Sequence, residues 1–188
     1  MAADKLIKDH QKARQGFTSV VESVDASRWD APSPCPEWDA RGVVEHVIGF
    51  HEMLLLKPLG VKADRPREDA VARWKATDAA LSEALSSVAA LDQEVDGPMG
   101  TTTPRSLLPA LTGDVLMHSW DLGRAAGLDV ELDPDLSAAA LEMGQKNAEQ
   151  LAASKMFGPP VAVPDDAPVQ DRMLGQFGRD PGWSPPKQ

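Results

Sequence analysis

Residues 104–127 read PRSLLPALTGDVLMHSWDLGRAAG. Proline is tolerated at a first helical position and glycine is a good stop, so the stretch predicts one helix from Pro104 to Gly127. Asp114 and His118 stand four apart, one above the other on a helix. The face they share runs back through Leu107 and Leu111 and forward to Ala125. Two polar side chains therefore stand on a stripe that should face the core. Buried polar groups need partners, and a buried carboxylate needs a charge or a metal.

The rest of the chain reads as further helices. Alanine is common, there is no tyrosine, and few windows are rich in β-branched or aromatic residues, which favours helix over strand. A first helix is expected from Asp4 to Asp25, with Leu6, His10, Phe17, Val20 and Val24 on one stripe. The segment from Trp29 to Trp38 carries Pro32, Pro34 and Pro36 and must be extended. Asp39 is the expected N-cap of a second helix, which bears Val43, Val44, Val47, Ile48, Leu54 and Leu55 and ends before Pro58. After a charged loop, Lys62 to Arg67, a third helix is expected from Glu68 to Leu91 through Val71, Trp74, Leu81, Leu85 and Val88. Residues Asp92 to Thr103 read as a loop. A fifth helix opens at Asp133-Pro134 and reaches Ser154. Phe157 to Pro164 is extended, and a short last helix covers Asp166 to Phe177. The expected class is all-α: a four-helix bundle over residues 1–127, with a helical extension over 128–188, in a single domain.

Length and charge narrow the possibilities. A chain of 188 residues can bury its own core. It carries 19 Lys+Arg against 29 Asp+Glu, a net charge of −10, which argues against nucleic acid and against anionic membrane surfaces. No apolar run approaches the ~20 residues of a membrane span, and the start of the chain has no apolar signal core. A cytoplasmic protein is expected. One cysteine, Cys35, makes no internal disulfide and no Cys-rich zinc site.

His46, among Val43, Val44 and Val47 on helix two, is the third polar residue on an apolar face. Two ligands from one helix and one from another is a normal way to build a metal site in a bundle. Three protein ligands with an open position suit catalytic zinc, and two histidines with one carboxylate also suit non-haem iron. The same residues can simply pair with one another in a metal-free core. His10 reads as a partly buried histidine, with a place lining a site as the alternative. His51, about 140° round the helix from His46, should not share its metal. Cys35 reads as a small apolar packing residue, because its near neighbours Glu37 and Asp39 have the wrong sign to activate a thiol. Asp121 is expected to pair with Arg124, or else to orient a ligating imidazole. Trp29, Trp38, Trp74 and Trp120 read as packing residues.

Three signatures then add a resemblance. Trp29-Asp30-Ala31-Pro32-Ser33-Pro34-Cys35-Pro36-Glu37-Trp38, followed by Val43-Val44-Glu45-His46-Val47, resembles the opening of the actinobacterial mycothiol-dependent maleylpyruvate isomerase-like metal-binding family, of the DinB-like superfamily. Asp114 to Gly127 resembles the family's second signature: an acid, a histidine, then Trp-Asp-Leu and a closing glycine. In the tail, Phe157-Gly158-Pro159, Gln170-Asp171-Arg172-Met173-Leu174 and Phe177-Gly178-Arg179-Asp180-Pro181-Gly182-Trp183 are similar to a compact subfamily of metal-binding proteins.

The resemblance implies a DinB-like bundle with a divalent metal held by His46, Asp114 and His118. Zinc is the foremost expectation, with nickel, iron or manganese as alternatives. It also implies a metal-dependent thiol transferase or isomerase-like enzyme, in which mycothiol or a related small thiol attacks a small electrophile. The alternative is a non-catalytic metal-binding module with a structural, sensing or partner-binding role. Arg41 or Arg124 is the expected holder of a substrate carboxylate, and the loop from Asp92 to Thr103 the expected roof. The full isomerase has a further C-terminal domain that helps bind its substrate. None is expected in 188 residues, so maleylpyruvate isomerisation is not expected either. Asp114 is shorter than the isomerase's Glu and calls for closer helices. Gly42, in the first turn of helix two, is expected to loosen it by about 1 kcal/mol against alanine. A homodimer is compatible with such a bundle.

Overall fold

A computed structural model describes residues 3–63, 66, 69–97, 100–154 and 156–186. Eight helices and one short hairpin are present among them: α1 (Ala3–Ser23), α2 (Ala40–His51), α3 (Ala70–Ala84), α4 (Val88–Leu91), β1 (Val95–Gly97), β2 (Gly100–Thr102), α5 (Pro104–Ala126), α6 (Pro134–Lys146), α7 (Ala148–Ser154) and α8 (Val169–Gln176). The all-α expectation holds. No helix among the described residues is long and apolar enough to cross a membrane.

Helices α1, α2, α3 and α5 form the bundle. α1 packs on α5 and α3, and α2 packs on the same two helices. α1 and α2 therefore face one another across the diagonal, and the chain does not run simply from neighbour to neighbour. The long Pro-rich connection between α1 and α2 spans that diagonal. Phe17, Val43, Val44, Val47, Trp74, Val115 and Leu122 fill one half of the interior, and Leu55, Leu56, Leu81, Leu91, Leu108 and Leu111 fill the other.

Helix α5 is the centre of the molecule. Every residue from Leu111 to Gly123 is buried. One side faces α1 and α2, and the other is covered by α6 and α8 through Met117, Trp120, Leu141, Met173 and Phe177. A helix enclosed all round has no solvent face, so Asp121 is buried as fully as Asp114 and His118.

The end signals work largely as read. Asp39 caps α2 by accepting from the Gly42 N–H at 2.7 Å, and Asp133 caps α6 through the Leu136 N–H at 3.0 Å. Gly127 stops α5 in the left-handed region at φ 78°, where glycine alone is unstrained. α2 runs on through a π-helical turn, Glu52–Leu56, before Pro58.

Several boundaries differ from expectation. Helix three breaks after Ala84, Ser87 caps the separate short α4, and Val88 is exposed. Its expected first residue, Glu68, lies outside the described residues, as do 64, 65 and 67 of the charged loop. The start is capped by Asp69, which accepts from the Val71 and Ala72 N–H groups. The loop after residue 92 holds the β1–β2 hairpin, with Val95 opposite Thr102. Helix five is two pieces, α6 and α7, parted at Asn147. The last helix starts three residues later than read, after Pro168.

Gly42 is a correction of meaning. A Cβ there would stand 3.0 Å from Trp38 Cβ and 3.3 Å from Asp39 Oδ1. The glycine lets Trp38 lie tight on the start of α2, so its cost in helix propensity secures a contact.

Candidate metal centre

Three helical positions converge at the base of a pocket of ≈ 650 Å³. α5 supplies Asp114 and His118, and α2 supplies His46. Asp114 Oδ1 lies 3.4 Å from His46 Nε2 and 3.4 Å from His118 Nε2. One donor atom from each of the three lies within 4.8 Å of the others. Atoms about 2.0–2.1 Å from a zinc ion at tetrahedral angles stand roughly 3.3–3.4 Å apart. The same separations are long for N–H···O hydrogen bonds. Asp114 Oδ2 is buried without a hydrogen-bond partner. The donor set and the unpartnered oxygen fit a divalent ion, and the aspartate reaches without a longer side chain.

The rings are held in place. His46 is stacked between Trp38, with centroids 4.2 Å apart, and Phe50 at 5.5 Å. The turn before α2 is knitted by Ser33, whose hydroxyl accepts from the Cys35 N–H and donates to the Trp38 carbonyl at 2.7 Å. This turn sets Trp38 against the site.

His118 Nδ1–H donates to Asp121 Oδ2 at 2.9 Å. That bond turns Nε2, the atom a metal would take, toward Asp114 and His46, which is how ligating histidines are commonly oriented. Arg179 comes from the segment after α8. Its Nη2 lies 3.0 Å from Asp121 Oδ2 and 3.0 Å from Cys35 Sγ, and its Nη1–H donates to the Phe177 carbonyl at 3.0 Å. The Cys35 thiol lies 3.2 Å from the same Asp121 oxygen.

Charges are coupled through this chain. Burial alone would keep Asp114 protonated and His118 neutral, but the attraction between them prevails. The Asp114 carboxyl is held well below the usual carboxylate range, and His118, also bonded to Asp121, is raised well above an ordinary imidazole. Asp121 is likewise held low, against its burial, by His118 and Arg179. Cys35, His118 and Asp121 form a second cluster of donor atoms. The Arg179 guanidinium already supplies the positive charge there.

The structure thus brings together His46, Asp114 and His118, and it corrects the readings of their neighbours. Asp121 pairs with His118 and Arg179. Arg124 instead bonds the Pro181 carbonyl at 3.0 Å and lies over Trp120. Arg41 lies over Trp29 near Asp30. Neither arginine lines the pocket. No described residue of the Asp92–Thr103 segment roofs it, and residues 98 and 99 lie outside the described residues. The pocket's far wall is Met156, Phe157, Gly158 and Gly178. Cys35 has a cationic neighbour after all, delivered from 144 residues away.

His10 does not line the site. It is fully buried, stacked on His51 at 5.2 Å and bonded to Thr112 Oγ1 at 3.2 Å. His51 donates from Nδ1 to the Val47 carbonyl at 2.7 Å and stays apart from the three candidate ligands, as read. The residue that sequence reasoning missed is Arg179. Its only signal was its place in the tail signature Phe177 to Trp183.

Residues 10–123 match the model of the mycothiol maleylpyruvate isomerase N-terminal domain. This match covers more than half of the chain and contains all three candidate ligands, and the chain belongs to that family. It is also similar to two uncharacterized proteins of Mycobacterium tuberculosis, from strains H37Rv and CDC 1551, each 28% identical over 175 residues, 90% of this chain and 95% of the relative. No solved structure gives a significant match.

Proposed function

We propose that the protein is a divalent-metal-binding enzyme that transfers a small thiol, mycothiol or a relative, to a small electrophile. The observation that carries the proposal is the convergence of His46, Asp114 and His118 at the base of an open pocket, with a buried Asp114 oxygen unpartnered. These three residues would hold the ion, with zinc foremost and nickel, iron or manganese as alternatives. A coordinated thiol is deprotonated, and the thiolate is the nucleophile.

The chain's own residues prepare the site. Asp121 fixes the His118 ring and its tautomer, and Arg179 neutralises Asp121. Trp38 and Phe50 hold His46 flat. Asp114 and His118 are nearly buried beneath the pocket, which strengthens electrostatic interactions between them. The reading places the protein in the cytoplasm, where a small reduced thiol is abundant.

The alternative is a non-catalytic metal-binding module with a structural, sensing or partner-binding role. A pocket opening directly onto the three donor atoms favours the enzyme. The test is consumption of mycothiol with a model electrophile by zinc-loaded protein, against protein treated with chelator. Metal-dependent consumption supports the proposal. A loaded protein that neither binds nor consumes the thiol refutes transfer and leaves the module.

A further inference from the structure

We infer that the electrophile this pocket accepts is uncharged and flat, a conjugated ketone or quinone-like compound, and not a carboxylate. The inference rests on the thiol-transfer reading for the reaction, and on the pocket lining for the substrate.

Among the described residues, Arg179 is the only Lys or Arg that lines the pocket. It is largely engaged within the protein: one Nη1–H donates to the Phe177 carbonyl, Nη2 is shared between Cys35 and Asp121, and Nε–H points to the second Asp121 oxygen at 3.5 Å. The guanidinium is buried, and its charge is spent on a fully buried carboxylate. The two positive charges of a bound divalent ion would be met by the Asp114 carboxylate and by one thiolate. Glu37, exposed at the rim, adds a negative charge. Among the described residues, a substrate carboxylate would therefore lose its hydration and meet no unpaired Lys or Arg, which is costly.

The walls suit the opposite kind of molecule. Trp38 and Phe50 each give one ring face to His46, and with Phe157, Pro34, Pro36 and the exposed Met156 they make the rest of the lining largely apolar. Aromatic side chains take planar ligands by stacking. In the reaction, the thiolate sulfur bonds to the β-carbon of the conjugated ketone. The C=C pair shifts toward the carbonyl carbon and the C=O pair to its oxygen, giving an enolate, and the proton the thiol released, carried by water, returns to the α-carbon. The thiol is added across the double bond, with no oxidant or reductant.

The test uses two unreactive probes of one size, benzylacetone and hydrocinnamate, which differ only in methyl ketone against carboxylate. Binding is read by tryptophan fluorescence and calorimetry on the full chain, both metal-free and loaded with zinc and mercaptoethanol. Zinc content is measured on the same samples. Benzylacetone is expected to bind at least about tenfold more tightly than hydrocinnamate in both states. Phe157→Ala is expected to weaken benzylacetone about fivefold. Equal or tighter binding of hydrocinnamate, no binding of benzylacetone, or an unchanged affinity in Phe157→Ala would overturn the inference. Absence of zinc from the loaded samples would instead refute the metal reading, and the metal-free arm would still decide the preference for an uncharged ligand.

Discussion

Arg179 Nη2 lies 3.0 Å from Asp121 Oδ2, and both side chains are buried, one from the tail and one from the central helix. The contact continues through Asp121 to His118 at 2.9 Å. An arginine beyond the bundle thus holds the carboxylate that orients a histidine inside it.

Arg179→Ala should be strongly destabilising. It leaves the Asp121 carboxylate buried beside a thiol with one of its two positive partners, the guanidinium, removed and only His118 remaining. Breaking a buried pair by removing one partner costs about 3–5 kcal/mol. Denaturant unfolding of the variant reads this directly, and a loss below about 1 kcal/mol would show that Asp121 finds another partner.

Asp121→Asn should weaken metal binding, and by leaving the buried Arg179 guanidinium without its carboxylate it should also lower stability. The amide can turn an N–H toward His118 and favour the wrong tautomer. Loss of such a supporting carboxylate typically costs about 10–100-fold in metal affinity. Competition with a chromophoric chelator measures it, and unchanged affinity would remove Asp121 from the site.

Metal uptake should release a proton. His118 is raised above the ordinary imidazole value in the metal-free protein, so it remains protonated at pH values where a free imidazole is already neutral. A metal must displace that proton. Calorimetry at about pH 7.5 in buffers of different ionisation heat should report roughly one proton released per metal bound. Affinity should then fall as the pH is lowered. Zero release at that pH would contradict the Asp114–His118 coupling.

The interior histidines should make the protein acid-sensitive above the carboxylate range. Burial pushes His51 down to about 4 and lowers His10 as well, by burial and by His51. A base whose folded value is depressed binds more protons when unfolded. Its stability is present above about 6.5 and is lost as the pH falls from there toward the folded value. For His51 the loss is about 3 kcal/mol between those limits. The difference in unfolding free energy between wild type and His51→Gln, followed with pH, isolates it. A difference that stays constant over that range would contradict a neutral buried His51.

Much of this was legible in residues 104–127. Proline, glycine and the four-residue spacing of Asp114 and His118 are local signals, and local signals survive folding. Asp39 and Asp133 as caps are of the same kind. Asp121 was ambiguous because a helix is usually read as having a wet face. The covering helices α6 and α8 removed that face, and nothing within α5 announces them. Arg179 and Cys35 meet across 144 residues, a distance no periodicity reports. Gly42 was misread for a similar reason: its cost is local, and its return lies in the approach of Trp38.

The most direct test of the metal centre is metal content by mass spectrometry, on untagged protein purified without chelator, with His118→Ala as the control. One divalent ion per chain in the wild type, absent from the variant, is the predicted result. No metal in the wild type, even after incubation with zinc, nickel, iron and manganese, would contradict it. His46, Asp114 and His118 would then be a buried pairing of the core.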